Sequence, residues 1–194
     1  MKQIVKLLLS FAPWIAFLVL SGHSLLRLDI ALIVAAVLVV VMALTGLHRG
    51  AVLWAGYLFF GAAIILVVGL KNMWFISHLA ILANSTLFST AFLGMMFGKP
   101  FTEDYARDEA PREIWETAAF VRACYTTTSV WSLVFLLNLA SSIVDFYNHH
   151  EIQGWYFTVF NYSMLLGGIV YTSAYTKYLH RHRVQKIPPQ IQNS

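Results

Sequence analysis

Six long apolar stretches, at residues 4–21, 30–47, 51–70, 75–97, 119–146 and 155–177, constrain this chain more than any other feature. Each approaches the roughly 20 apolar residues that a helix needs to cross a bilayer. Backbone N–H and C=O groups in lipid must be satisfied within the spanning segment, so the stretches are expected as helices. The predicted fold class is all-α: a polytopic membrane protein of six transmembrane helices. Only 11% of residues are charged, against roughly 25% in soluble domains. The stretches leave room for one transmembrane domain over 1–178, followed by a basic tail at 179–194.

Charge sets the expected orientation. With six spans, the N-terminus, the 48–50 turn, the 98–118 loop and the tail share one side. That side holds eleven of the thirteen Lys and Arg residues, and only Arg27 and Lys71 fall opposite. Cytoplasmic loops carry the excess of Lys and Arg. Both termini are therefore expected in the cytoplasm, with the protein in a bacterial inner membrane. The net charge of +4 then calls for membrane lipids as partners and no nucleic acid. Lys2 and Lys6, before and at the start of the first stretch, resemble a signal-peptide start. Val19-Leu20-Ser21-Gly22 is a poor cleavage site, so a retained anchor is expected. Cys124 is the single cysteine, which excludes an intramolecular disulfide.

Nine of the twenty-two charged residues crowd into residues 98–118. Pro100 ends the fourth span, and Thr102 is placed to cap a short helix whose first turn carries Glu103 and Asp104. Pro111 suits the first turn of a second helix that would run on into the fifth span. Arg112 and Glu116, four apart, are placed to pair. The expectation is an amphipathic cytoplasmic hairpin between helices 4 and 5. Its surface, with Arg107, Asp108, Arg112 and Trp115, would meet a partner such as another membrane protein.

The order Gly98-Lys99-Pro100-Phe101-Thr102, Tyr105-Ala106-Arg107, Trp115 and Thr127-Thr128-Ser129-Val130-Trp131 resembles a group of small bacterial inner-membrane proteins of unassigned activity. That group is similar to the intracellular septation protein A family. The resemblance covers about residues 90–136, and the long charged stretch Glu103–Glu116 departs from the septation pattern. It implies an inner-membrane protein tied to envelope or division processes, with no catalytic residues to carry over.

Polar residues inside a membrane are costly, so their positions inform. His78, Ser85 and Ser89 fall on one line of the fourth span at 100° per residue. Thr127, Asn138, Ser141 and Asp145 make a stripe on the fifth, and Asn161, Gly168, Thr172 and Tyr175 on the sixth. These stripes are expected to face one another in an inner bundle made by the second half of the chain. Gly94-x-x-x-Gly98 and Gly167-Gly168 suit close helix packing.

His78 and Asp145 sit at matching depth near the outer boundary, and a hydrogen bond between them is the expected arrangement. With His23, His149 and His150 they could instead ligate Zn or Cu. The adjacent pair His149-His150 is poorly spaced for one ion. No nucleophile elbow, phosphate loop or haem-ligand pair is present, so no catalytic residue and no cofactor is assigned. The leading expectation is a non-enzymatic inner-membrane protein that acts through partner or lipid contacts. The alternatives are a small-solute or ion transporter using the polar faces of helices 4–6, and a metal-handling protein.

Overall fold

The computed structural model describes residues 9, 11–21, 24–45, 50–108, 110–148 and 154–184. Helices dominate and no strand occurs among the described residues. The helices are α1 (Ala12–Leu20), α2 (Leu25–Leu44), α3 (Ala51–Ala63), α4 (Met73–Ser77), α5 (Leu79–Met96), α6 (Thr102–Arg107), α7 (Ala118–Tyr147) and α8 (Gly154–Val184). A π-helical segment, Ile64–Gly69, continues α3. Four segments are long and apolar enough to cross a bilayer: Leu25–Leu44, Ala51–Gly69, Leu79–Met96 and Ala118–Tyr147. They mark a membrane protein. At 1.5 Å per residue α7 runs about 45 Å, longer than a hydrocarbon core of roughly 30 Å.

The chain alternates direction. α2 and α3 are tied at the end away from the 98–117 loop, where Lys71 Nζ meets Asp29 Oδ2 at 2.6 Å. At the other end, Asp104 of α6 lies against Gly50 and takes a backbone hydrogen bond from Ala51, the first residue of α3. A carboxylate is favourable at the N-terminus of a helix.

The core is not confined to the second half of the chain. α1 turns Phe11, Trp14 and Phe17 inward. Trp14 stacks on Phe59 of α3 at 5.1 Å, and Phe11 stacks on Trp131 of α7 at 5.3 Å. The inner bundle expected from spans four to six alone therefore gains an aromatic wall from α1 and α3. In α5 the buried row is Leu79, Ala83, Leu87 and Ala91, spaced by four along one face. The expected stripe of His78, Ser85 and Ser89 is turned away from that face, and Ser89 is exposed.

The loop differs from the expected hairpin in three ways. Thr102 is the first residue of α6 rather than its cap. Its side chain faces the bundle, where Oγ1 donates to the Cys124 carbonyl at 3.0 Å and meets Thr128 Oγ1 at 2.7 Å. Pro111 precedes only a 3-10 turn, Arg112–Ile114, and Thr117 caps α7 afresh by accepting from the Phe120 N–H. Arg112 lies over the Trp115 ring instead of pairing with Glu116.

The Gly94-x-x-x-Gly98 pair is not a helix-packing seam. The Lys99 N–H donates to the Gly94 carbonyl at 2.7 Å and the Gly98 N–H to Met95 at 3.1 Å, with Gly98 at φ +73°. This is a Schellman cap, which calls for a left-handed residue at this position.

Candidate functional site

α7 carries the largest share of the buried polar groups. Thr128, Ser132, Asn138, Ser141 and Ser142 all face inward. Two hydrogen bonds join this face to α8 and α5, beside the Thr102–Thr128 bond to α6. Trp131 Nε1 donates to Thr172 Oγ1 of α8 at 3.0 Å. Asn84 Nδ2 of α5 donates to Ser142 Oγ at 2.9 Å, and Ser142 Oγ donates to the main-chain carbonyl of Asn138 at 3.0 Å. Such bonds are worth on average about 0.6 kcal/mol in a membrane.

Between these helices and α1 lies a cavity of about 410 Å³. That is within the range of roughly 300–1,000 Å³ of small-molecule sites. Its floor is aromatic, with Phe11, Trp14, Trp131 and Phe135. Phe101, from the loop, meets Phe11 edge-on at 6.2 Å and is itself buried, so the loop backs the floor. The walls are Leu and Ala of α5 with Leu165 and Ile169 of α8. A polar belt crosses them: Asn84, Asn138, Ser142 and Asn161. At the end away from the loop the cavity reaches Ser21, Ser24 and Ser77. No described lining residue is charged.

Within the belt, two acceptors have no partner. Asn138 Oδ1 and Asn161 Oδ1 are buried and make no hydrogen bond. Asn138 is only 2% exposed. Both oxygens are enclosed by the protein, as are Ser132 Oγ and Ser141 Oγ of α7.

The residues singled out in the sequence are placed as follows. Asn138, Asn161 and Thr172 face the interior, the first two on the cavity and the third on Trp131. Thr127 bonds back to the Ala123 carbonyl, and Ser85 and Ser89 do not line the cavity. Asn84 does, although the expected polar stripe of its span omits it. Its signal in the sequence is its position beside the four-spaced row Leu79, Ala83, Leu87 and Ala91.

His78 does not take Asp145 as its partner. Its Nδ1 lies 2.8 Å from the Trp74 carbonyl and 3.0 Å from Ser77 Oγ. Its ring sits between Trp74 and Phe146, each at 4.5 Å. Among the described residues no three His, Cys, Asp or Glu side chains gather as a metal group. His23, His149 and His150 lie outside the described residues.

Arg107, Asp108 and Arg112 of the surface expected to meet a partner are exposed, and some of its side chains also contact one another. Arg107 pairs with Glu103 and lies 5.1 Å from the Trp115 ring centroid, with Arg112 on the same ring at 5.8 Å. Trp115 Nε1 donates to the Ala110 carbonyl. Asp108 is exposed.

The chain matches no family model, no curated protein and no solved structure. The resemblance over residues 90–136 rests on those residues alone.

Proposed function

We propose that this chain is a multi-pass membrane protein that binds a small, largely apolar molecule between its helices. Of the functions expected from the sequence, this is closest to solute handling by helices 4–6. The observation that carries it is the cavity of about 410 Å³, lined by aromatic and aliphatic side chains and crossed by the uncharged polar belt of Asn84, Asn138, Ser142 and Asn161. Natural interiors leave few voids and few unmet polar groups. A void crossed by polar side chains is suited to a ligand that fills it and bonds them.

In the proposed topology α1 and α8 join the four long apolar helices as spans. Both termini and the 98–117 loop lie in the cytoplasm of a bacterial cell, and the serine-lined end of the cavity faces outward. The excess of Lys and Arg on the loop side supports this orientation.

The test fills the cavity. Ala83 lines it and is buried, so Ala83→Phe would occupy the space. Small molecules retained by the purified chain are identified by mass spectrometry for both proteins. A molecule held by the wild type and lost in Ala83→Phe is the expected result. An identical set in both would sink the reading.

A further inference from the structure

We infer that the ligand enters the cavity sideways from the bilayer, through a seam between α1 and α8 that Tyr162 latches. The inference rests on the ligand-binding reading above and specifies the route and the source of what is bound.

The first observation is how the helices close around the cavity. α1 packs its backbone against α2, α2 against α3, α3 against α5, α5 against α7, and α7 against α8. Among the described residues, the return from α8 to α1 has no comparable packing. The cavity lies behind that seam, with Ile15 and Leu18 of α1 and Asn161, Leu165 and Ile169 of α8 in its wall.

The second is what holds the seam together. At the end nearer the 98–117 loop, Phe11, just ahead of α1, stacks on Trp131 at 5.3 Å, and Trp131 bonds Thr172 of α8. At the other end Tyr162 Oη of α8 donates to the Leu18 carbonyl of α1 at 3.2 Å. Phe11 and Leu18 are seven residues apart in the sequence, or about 10 Å along a helix. Between these two ties stand Ile15, 38% exposed, and Leu165 and Ile169, both half-buried.

The third is that the latch releases without stranding a backbone group. The Leu18 carbonyl, in the last turn of α1, also accepts from Ser21 Oγ at 3.2 Å. A carbonyl oxygen has two lone pairs, so Ser21 still serves it when Tyr162 swings away. An unserved carbonyl in lipid costs several kcal/mol. Ile15, Leu165 and Ile169 are aliphatic, so parting the helices there exposes what acyl chains solvate. An apolar ligand dissolves in those chains and reaches the seam without crossing water.

The experiment follows quenching of Trp14 and Trp131 by bromodecane. Trp54, Trp74, Trp115 and Trp155 are changed to Phe in the full chain, which is held in nanodiscs of neutral lipid and mixed with the probe by stopped flow. Entry is the slower, saturable phase that Ala83→Phe abolishes. Ser21→Cys/Tyr162→Cys is bridged across the seam by a short bifunctional maleimide, since both replaced hydroxyls bond the same Leu18 carbonyl. The parent treated with the same reagent is the control, its single cysteine, Cys124, being buried. Entry should slow at least tenfold in the bridged protein relative to the unbridged one, with no change in the treated parent. Tyr162→Phe should quicken entry about threefold, as loss of a bond of ~0.6 kcal/mol implies, with its dissociation constant unchanged. Ser77→Phe, at the serine-lined end, should leave the rate as it was. No slowing by the bridge, or an equal slowing by Ser77→Phe, overturns the lateral route while the binding reading stands. A Tyr162→Phe rate equal to that of the parent overturns the latch. Absence of any saturable quenching sensitive to Ala83→Phe overturns the inference, while the retention assay on the native chain judges the cavity reading separately.

Discussion

Trp131 lies flush against Gly168 where α7 meets α8: a Cβ built on Gly168 would lie 3.3 Å from Trp131 Cη2 and 3.4 Å from Cζ2 and Cζ3. The indole is fixed on its other side by Phe11 and at its nitrogen by Thr172. A hydrogen bond, a stack and a glycine thus hold one ring that also floors the cavity.

Gly168→Ala should therefore destabilise the protein, because the added methyl group meets an indole held by its stack on Phe11 and its bond to Thr172. Overpacking of this kind costs about 1–3 kcal/mol. Gly167 has nothing within 4 Å of a built Cβ, so Gly167→Ala should gain the usual helix preference for alanine, roughly 0.5–1 kcal/mol. Thermal aggregation midpoints in detergent for the two variants should move in opposite directions. Equal shifts would remove the packing argument.

The buried hydroxyl pair between loop and bundle makes a second prediction. Thr102→Val leaves Thr128, fully buried, without its hydroxyl partner at 2.7 Å. A loss of about 1–3 kcal/mol is expected. Adding Thr128→Val should restore part of it, since two apolar groups make no unmet demand. Chemical unfolding of the two single variants and the double variant would show this as non-additivity. Strict additivity would mean that the hydroxyls do not interact.

The Schellman cap at the end of α5 is tested at Gly94. A Cβ there would lie 2.8 Å from the Lys99 carbonyl, a backbone atom that cannot swing aside. Gly94→Ala should loosen the cap and detach Phe101 and Thr102 from the bundle. Hydrogen exchange at residues 98–107 should rise relative to wild type, while α2 stays protected. Unchanged exchange over that segment would show that the cap tolerates the methyl group.

Asp104 carries the pH dependence of the loop. Its side chain is exposed by area, yet its carboxyl is crowded against the Gly50–Ala51 backbone. Desolvation, with Glu103 beside it, raises its pKa above the ordinary value of 3.8. Arg107 and the Ala51 N–H offset this only in part. An acid whose folded pKa is raised favours folding in its protonated form. That contribution is complete below pH 3.8 and is lost as pH rises through the folded value. Asp104→Asn keeps an acceptor for Ala51 and removes the loss. The variant should match wild type in acid and equal or exceed it at neutral pH, as measured by thermal midpoints across pH. A variant less stable only at neutral pH would reverse the assigned direction.

Several features could be read from single residues. Pro100 marks the end of α5 and its cap, whereas the helix expected from Pro111 stops as a single 3-10 turn and α7 starts afresh after Thr117. Asn138, Asn161 and Thr172 stand out because polar side chains in an apolar run need a protein neighbour rather than lipid. His78 misleads for the same reason: it finds that neighbour in its own helix, at Trp74, and in a ring of α7, Phe146.

The sequence by itself determined that this chain is helical and membrane-embedded, because length and apolarity decide what can cross a bilayer without unmet backbone groups. Only the tertiary structure decided which face of each helix turns inward. In lipid, a leucine is as well solvated by acyl chains as by protein, so apolar periodicity carries no inside and outside. That is why the aromatic face of α1, the reach of Asn84 to Ser142 and the seating of Phe101 beneath the cavity became visible only once the helices were packed.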